Sequence, residues 1–190
     1  MLLSAAQPDL NIGALMYPYT GRRLMEAIED IPHAVGIAVV LRDTTANGRV
    51  YRDLGDKAVV TYNLQPKDVE NFHFGLVRAG EMLFAAGAKK LLPTLVGGDY
   101  IHTPRELAEL RNHPPHVSQL ALTSYHPLGT CKMGRDPKTS VVGLDHQAHD
   151  LPGLFIVDGS TVPTALGVNP QITIMAMATR AAAKVDEALS

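Results

Sequence analysis

The chain has 190 residues, of which 46% are hydrophobic and 19% charged, and its 17 basic and 19 acidic side chains leave a formal net charge of −2. This composition is typical of a globular protein, and the near-neutral charge gives no reason to expect binding to nucleic acid or to an anionic membrane surface. The single cysteine, Cys131, excludes an intrachain disulfide, and the sequence begins with neither a signal-peptide pattern nor a long apolar run. We therefore expect a cytoplasmic protein without a membrane span.

The first third of the chain predicts one short helix followed by three strands. A helical pattern covers residues 22–29, and a β-branched run from Ala34 to Arg42 follows it. Asn47-Gly48 then precedes a second β-type run, Val50–Arg52, and Asn-Gly between two such runs is typical of a tight hairpin. A third run covers residues 57–62. The sequence therefore predicts an antiparallel sheet of three strands.

Two helices are predicted in the middle of the chain. From Pro66 to Gly87 apolar residues recur at steps of three and four, with proline suited to the first turn and glycine to the end. Thr103-Pro104-Arg105-Glu106 has the form of a capping box, so a second helix is predicted from there until Pro114 prevents its continuation.

The last third predicts strand, turn and buried helix. Residues 117–123 are interpreted as a strand, and residues 134–152 as a turn-rich connection. The apolar run Leu154–Val157 is typical of a strand buried on both faces, and the stretch after Pro170 predicts a helix that is apolar nearly all round. Strand, turn and buried helix is an α/β pattern, but for the chain as a whole the predicted fold class is α+β, an antiparallel sheet with helices.

Three histidines raise the alternative of a small metal-dependent hydrolase. His113 and His116 have a spacing compatible with two metal ligands, and His102 lies nearby in the sequence. However, Pro114-Pro115 opposes regular helix geometry between them, and no cysteine or carboxylate cluster completes a coordination sphere. We expect surface imidazoles and no metal site.

Two segments near the end of the chain carry the chemistry. The first is Ser-Tyr-His-Pro-Leu-Gly-Thr-Cys-Lys-Met-Gly at residues 124–134, and the second is Gly-Val-Asn-Pro at 167–170, with Asp-Gly-Ser at 158–160 between them. In this order they closely resemble the C-terminal signature of the glucose-methanol-choline (GMC) family of FAD-dependent alcohol oxidoreductases. The Gly-x-Gly-x-x-Gly turn that holds the cofactor's pyrophosphate in such enzymes occurs nowhere in this sequence. The resemblance therefore implies the C-terminal portion of a longer protein, with a partial substrate domain over residues 1–150 and a strand and helix of the FAD-binding domain over 151–190.

The resemblance also implies roles for particular residues. His126 matches the base that removes the hydroxyl proton of an alcohol while hydride passes to flavin N5, and Asn169 matches the second polar group at the alcohol oxygen. Asp158, Gly159, Asn169, Pro170 and Gln171 match positions that approach the cofactor. Each has a plainer interpretation: a packing histidine at 126, a turn at 158–159, and an ordinary helix N-cap at Asn169.

The implied partners are an alcohol substrate and an N-terminal FAD-binding segment or subunit, without which activity is not expected. The apolar last helix also makes an oligomer an option. A non-catalytic cap or interaction subunit of a flavoprotein is the alternative from another class. The sequence leaves open which alcohol is oxidised and whether oxygen, a quinone or a cytochrome accepts the electrons.

Overall fold

A computed structural model of the protein describes residues 1–6, 17–43 and 48–190. These residues form two compact units, each assembled from two stretches of chain. The first unit comprises Met1–Leu41 and Leu64–Thr123, and the second comprises Arg42–Asn63 and Ser124–Ser190. The cut at residue 150 expected from the sequence refers to the domains of a longer protein, and it stays a prediction.

The strands form two separate two-stranded sheets, so the prediction of one three-stranded sheet is wrong. In the first unit β1 (Leu2–Ala6) pairs antiparallel with β2 (Gly36–Val40). In the second unit β3 (Arg49–Arg52) pairs antiparallel with β4 (Ala58–Thr61). The predicted hairpin assigned β3 as the partner of β2, but β2 pairs with a short run at the start of the chain instead. The Asn47 position of that predicted turn lies outside the described residues.

Strands β3 and β4 are joined by a tight hairpin. Asp53 Oδ1 accepts hydrogen bonds from Gly55 N at 2.8 Å and Lys57 N at 2.9 Å, which closes the connection. Asp56 adopts a left-handed conformation with φ of +65°. Aspartate tolerates both roles, because its short side chain bonds to nearby backbone and relieves the strain of positive φ.

The helices follow the sequence closely. They are α1 (Gly21–Asp30), α2 (Pro66–Ala85), α3 (Pro104–Asn112) and α4 (Gln171–Leu189). Together with the small antiparallel sheets they confirm the α+β class. Within the described ranges, none of these helices is both long and apolar enough to cross a membrane.

Helices α2 and α3 pack closely in the first unit because a glycine lies where they meet. A Cβ atom at Gly80 would lie only 2.9 Å from the Leu107 side chain. The His73 ring Nε2 lies 2.8 Å from the Leu110 carbonyl oxygen and joins the same two helices. Leu107 is buried in a cluster with Leu91 and Ile101, which forms the core of this unit.

Two of the predicted strands do not form as regular strands. Residues 117–119 form a 3₁₀ turn that begins with a capping box between His116 and Gln119, and the run is reduced to one isolated bridge, from Leu120 to Leu95. In the run 154–157, Phe155 forms an isolated bridge with Gln147, while Leu154 and Val157 are 45% and 40% exposed. The run is therefore not buried on both faces within this chain.

A polar cluster at Asp30 connects the end of α1 to the loops after α2. Lys90 Nζ and Tyr100 OH each donate a hydrogen bond of 2.6 Å to Asp30 Oδ2, and the Lys90 ammonium lies 4.3 Å from the centre of the Tyr100 ring. The hydrogen bond from Lys90 and then that from Tyr100 hold the pKa of Asp30 below its ordinary value. Burial, followed by the bond to Asp30, raises the pKa of Tyr100.

We predict that Asp30→Asn lowers the unfolding temperature at neutral pH, and that this deficit shrinks as the solution is acidified. The folded pKa of Asp30 is lowered, so its contribution is fully present above the unfolded value near 3.8 and is lost as the pH falls through the folded pKa. Thermal unfolding followed by circular dichroism at pH 7 and pH 3 measures the deficit. Asp99→Asn is the matched control, because the ion pair of Asp99 with Arg23 is exposed and is expected to contribute little. A deficit of equal size at both pH values would contradict the assignment.

Candidate active site

The site is built on two chain segments of the second unit that run side by side. Cys131 N donates to Ser160 O at 3.0 Å, and Met133 N donates to Thr161 O at 2.9 Å. Gly129 has a φ of +82°, and a Cβ atom there would lie 3.4 Å from the carbonyl oxygen of Val162. The signature segment 124–134 is therefore held against the segment 159–162 by backbone contacts, whatever side chains the two carry.

Asp158 caps the short 3₁₀ turn Gly159–Thr161. Its Oδ1 accepts a hydrogen bond from Ser160 N at 2.7 Å, and its backbone carbonyl accepts one from Thr161 Oγ1 at 2.9 Å. Thr161 is fully buried, while the Asp158 side chain stays exposed. Asp158 therefore acts as a turn residue. Its other carboxylate oxygen, Oδ2, has no hydrogen bond in the described structure.

Gly159 lies between the histidine segment and the last helix. A Cβ atom at Gly159 would lie 3.1 Å from Leu128 Cδ2, 3.1 Å from Ile174 Cδ1 and 3.5 Å from the Pro127 carbonyl oxygen. Because Pro127 directly follows His126 and Ile174 lies in the first turn of α4, the Gly159 backbone marks where the predicted site segments meet.

The N-terminus of α4 differs by one residue from the prediction. The helix begins at Gln171, Pro170 is buried and takes the cap position, and no side chain caps the helix. The first helical hydrogen bond runs from Ile174 N to Pro170 O at 2.9 Å. Asn169 is exposed and does not serve as the expected N-cap, because the helix begins at Gln171 and Pro170 takes the cap position. The uncapped first turn leaves backbone N–H groups and the positive end of the helix dipole open.

His126 is exposed, and no hydrogen bond within the described ranges occupies its ring or joins it to Asn169. The proline that follows it restricts the His126 backbone to extended conformations. The structure thus brings Gly159, the Pro127 peptide and the first turn of α4 together, with His126 and Asn169 as exposed neighbours of these contacts.

Arg42 is a neighbour of the site that the sequence pattern did not identify. Gly167 has a φ of +75°, and a Cβ atom there would lie 3.5 Å from Arg42 Cδ and 3.6 Å from Arg42 Cβ. The arginine stem therefore packs beside the Gly-Val-Asn-Pro segment. Its only signal in the sequence is a charge at the end of a β-branched run, which is common in exposed strands and indicates no chemistry.

The histidines considered as metal ligands have local partners. His113 Nδ1 lies 3.1 Å from the Glu109 carbonyl oxygen, and His116 Nδ1 lies 2.8 Å from Ser118 Oγ. The His102 ring stacks at a tilt on Tyr100, with 6.1 Å between the ring centres. Across residues 1–6, 17–43 and 48–190, no three His, Cys, Asp or Glu side chains converge as metal ligands.

A surface cavity of about 410 Å³ lies elsewhere in the second unit. It is lined by the turn around Asp145 and by the C-terminal half of α4, including Arg180 and Lys184. None of the residues predicted for the site lines it, so the cavity does not support the chemistry inferred from the sequence.

Comparisons with known proteins identify the same family that the motifs at residues 124–134 and 167–170 resemble. The family model described as GMC oxidoreductase, in its C-terminal form, matches residues 44–178. A long-chain-alcohol oxidase of Arabidopsis thaliana is 31% identical over 133 residues, which are 66% of this chain and 18% of that protein. A 2-methyl-1,2-propanediol dehydrogenase of Mycolicibacterium austroafricanum is 51% identical over 57 residues, which are 30% of this chain and 10% of that protein.

A solved structure and a longer relative extend the comparison. The crystal structure of pyridoxine 4-oxidase from Mesorbium loti superimposes with a TM-score of 0.53 at 28% identity, covering 74% of this chain and 27% of the oxidase. An uncharacterised GMC-type oxidoreductase of Mycobacterium tuberculosis matches 94% of this chain at 28% identity, and the chain spans only 28% of its length. The chain belongs to the GMC oxidoreductase family.

Proposed function

We propose that the chain is the C-terminal part of an FAD-dependent oxidoreductase that oxidises a CH–OH group, with His126 as the proton acceptor. The observation that carries this proposal is the position of Gly159 against both the Pro127 carbonyl and Ile174. It makes the histidine segment, the Asp158 turn and the start of α4 neighbours. Two relatives, a long-chain-alcohol oxidase and a 2-methyl-1,2-propanediol dehydrogenase, support an alcohol as the substrate class.

The residues present fit one wall of a flavin site. Gly159 offers a backbone surface without a side chain, and the first turn of α4 offers backbone N–H groups that no side chain caps. Asp158, Gly159, Asn169, Pro170 and Gln171 would hold the flavin. When bound, flavin accepts the alcohol's hydride at its N5 atom. The open N-terminus of α4 would favour negative charge on a bound flavin.

His126 and Asn169 have different roles at the alcohol oxygen in this proposal. The His126 imidazole accepts the hydroxyl proton at a ring nitrogen as the C–H bond breaks. The Asn169 amide group donates a hydrogen bond to the same oxygen and orients it. Because asparagine does not titrate, the single imidazole carries the acid–base role in this proposal.

The rest of the flavin site lies in another segment or subunit. The sequence has no Gly-x-Gly-x-x-Gly turn, and the chain spans only 28% and 25% of two curated relatives that it matches. In this proposal residues 1–150 belong to the substrate domain, residues 151–190 complete the FAD-binding domain, and the protein is cytoplasmic. The exposed Ile172 and Met175, at 75% and 58%, give α4 an apolar surface for that partner.

We predict that His126→Ala in the complete, flavin-loaded protein lowers alcohol oxidation by about 10²-fold or more, because the hydroxyl proton loses its acceptor. Flavin content measured by absorbance is expected to stay at the native level. His113→Ala is the matched control, since His113 is an equally exposed imidazole bound only to its own helix. Near-native turnover of the His126 variant would remove the residue from this role and favour the non-catalytic alternative.

A pair of substitutions at Asp158 separates the turn from the charge. Asp158→Ala removes the oxygen that accepts from Ser160 N, at a cost of about 1 kcal/mol, whereas Asp158→Asn keeps an oxygen there. We expect faster hydrogen exchange at the Ser160 amide and weaker flavin retention in the alanine variant only. Equal defects in both variants would mean that the carboxylate charge, and not the cap, matters.

We predict that the purified 190-residue chain binds no stoichiometric flavin and oxidises no alcohol, because the pyrophosphate cradle is not in its sequence. Adding the flavin-binding part, from the same protein or from a neighbouring reading frame, is expected to restore both. Absorbance spectra with cofactor titration measure the outcome. A flavin band at one equivalent in the chain alone would overturn the proposal that the cradle lies elsewhere.

A further inference from the structure

His146 combines three features that are rare together in a non-glycine residue. Its side chain is fully buried, its backbone is left-handed with a φ of +70°, and its Nε2 atom has no hydrogen-bond partner in the described structure. Left-handed backbone favours glycine or asparagine, and buried polar atoms are normally satisfied. Each of these features is unfavourable for the folded state, so we expect another interaction of His146 to compensate for them.

The compensation is visible at Ile156. Its N–H donates to the His146 carbonyl oxygen at 3.0 Å, and its own carbonyl oxygen lies 3.3 Å from His146 Nδ1. Both backbone polar groups of Ile156 are therefore bound by one residue. Ala148 N donates to Leu154 O at 2.8 Å on the same side, so the two segments run antiparallel.

The ring takes the place of a backbone donor. In a regular antiparallel pair, His146 N–H would donate to Ile156 O. Here the left-handed conformation turns His146 N towards Gly143 O, at 3.1 Å, and closes a tight turn. Since a carbonyl oxygen only accepts, Nδ1 carries a proton and donates to Ile156 O, while Nε2 has no partner in the described structure.

Ile156 lies two residues before Asp158. The hydrogen bonds from His146 therefore hold the chain just before the Asp158 turn. Asp158 caps the turn Gly159–Thr161, and Ser160 O binds the signature segment through Cys131 N. Resting on the proposed function, we propose that His146 is a positioning residue for the Asp158–Gly159 wall of the flavin site, acting through its Nδ1–H bond to the Ile156 carbonyl.

Two substitutions that both accept positive φ separate the bond from the backbone conformation. His146→Gly removes the donor, whereas His146→Asn places an amide nitrogen where Nδ1 stood and accepts the same conformation. His149→Asn is the control, because His149 lies three residues further on but bonds to Ser140 instead of the 156 segment.

The first measurement needs no cofactor and is hydrogen exchange of the complete protein. We expect the amides of residues 156–161 to exchange at least about tenfold faster in His146→Gly, and at near-native rates in His146→Asn and His149→Asn. The second measurement uses the flavin-loaded protein. We expect His146→Gly to shift the flavin absorbance maximum and to lower kcat by about tenfold or more, with little change in KM. We expect His146→Asn to have a native absorbance maximum and a native kcat.

The outcomes decide between positioning and mere packing. Native exchange and a native flavin spectrum in His146→Gly would overturn the proposal, and so would an asparagine variant as impaired as the glycine one. If the glycine variant fails to fold, the asparagine variant is the test. Faster hydrogen exchange and a shifted flavin spectrum in His146→Asn would show that the imidazole ring, and not the hydrogen-bond donor, is required. Active His126→Ala with the expected exchange pattern would refute the base and leave the His146 assignment intact.

Discussion

The hydrogen bonds from Cys131 and Met133 to the carbonyl oxygens of Ser160 and Thr161 are the interaction on which the rest of the site depends. They join segments about thirty residues apart, and they use backbone groups only. The register between the two segments therefore fixes where the histidine loop lies relative to the Asp158 turn. Side chains at the surface of either segment can vary without moving the other, which is how a scaffold carries different substrates on one geometry.

The same register explains why Gly159 and Pro170 occupy their positions. The backbone at Gly159 approaches Pro127, Leu128 and Ile174, so a larger side chain there would push the histidine loop away from helix α4. Pro170 is buried at the start of that helix and cannot donate a backbone hydrogen bond. The proposed flavin wall rests on the Gly159 backbone and on the first turn of α4, which no side chain caps.

The helices could be predicted from the sequence because their signals are local. Each helix signal involves residues within one turn of a helix end. The structure has helix ends at Pro66, near Gly87 and at the Thr103–Glu106 box. Strand pairing is a choice among distant partners, which is why β2 was assigned to the wrong one. His126 and Asp158 were found through a motif, whereas His146 and Arg42 depend on a left-handed turn and on a loop contact that exist only after folding.

The second unit leaves more apolar surface uncovered than its own elements require. Helix α4 buries Ala181 completely, yet it exposes Ile172 and Met175 one turn apart, and the β3–β4 hairpin exposes Val50 and Val60 as a directly opposed pair. An isolated two-stranded hairpin is at best marginally stable in water, and an apolar helix gains most of its stability from packing. Helix α4 directly follows the segment that carries Asn169. In the proposed function, a partner surface on α4 would serve both the chemistry of this unit and its stability.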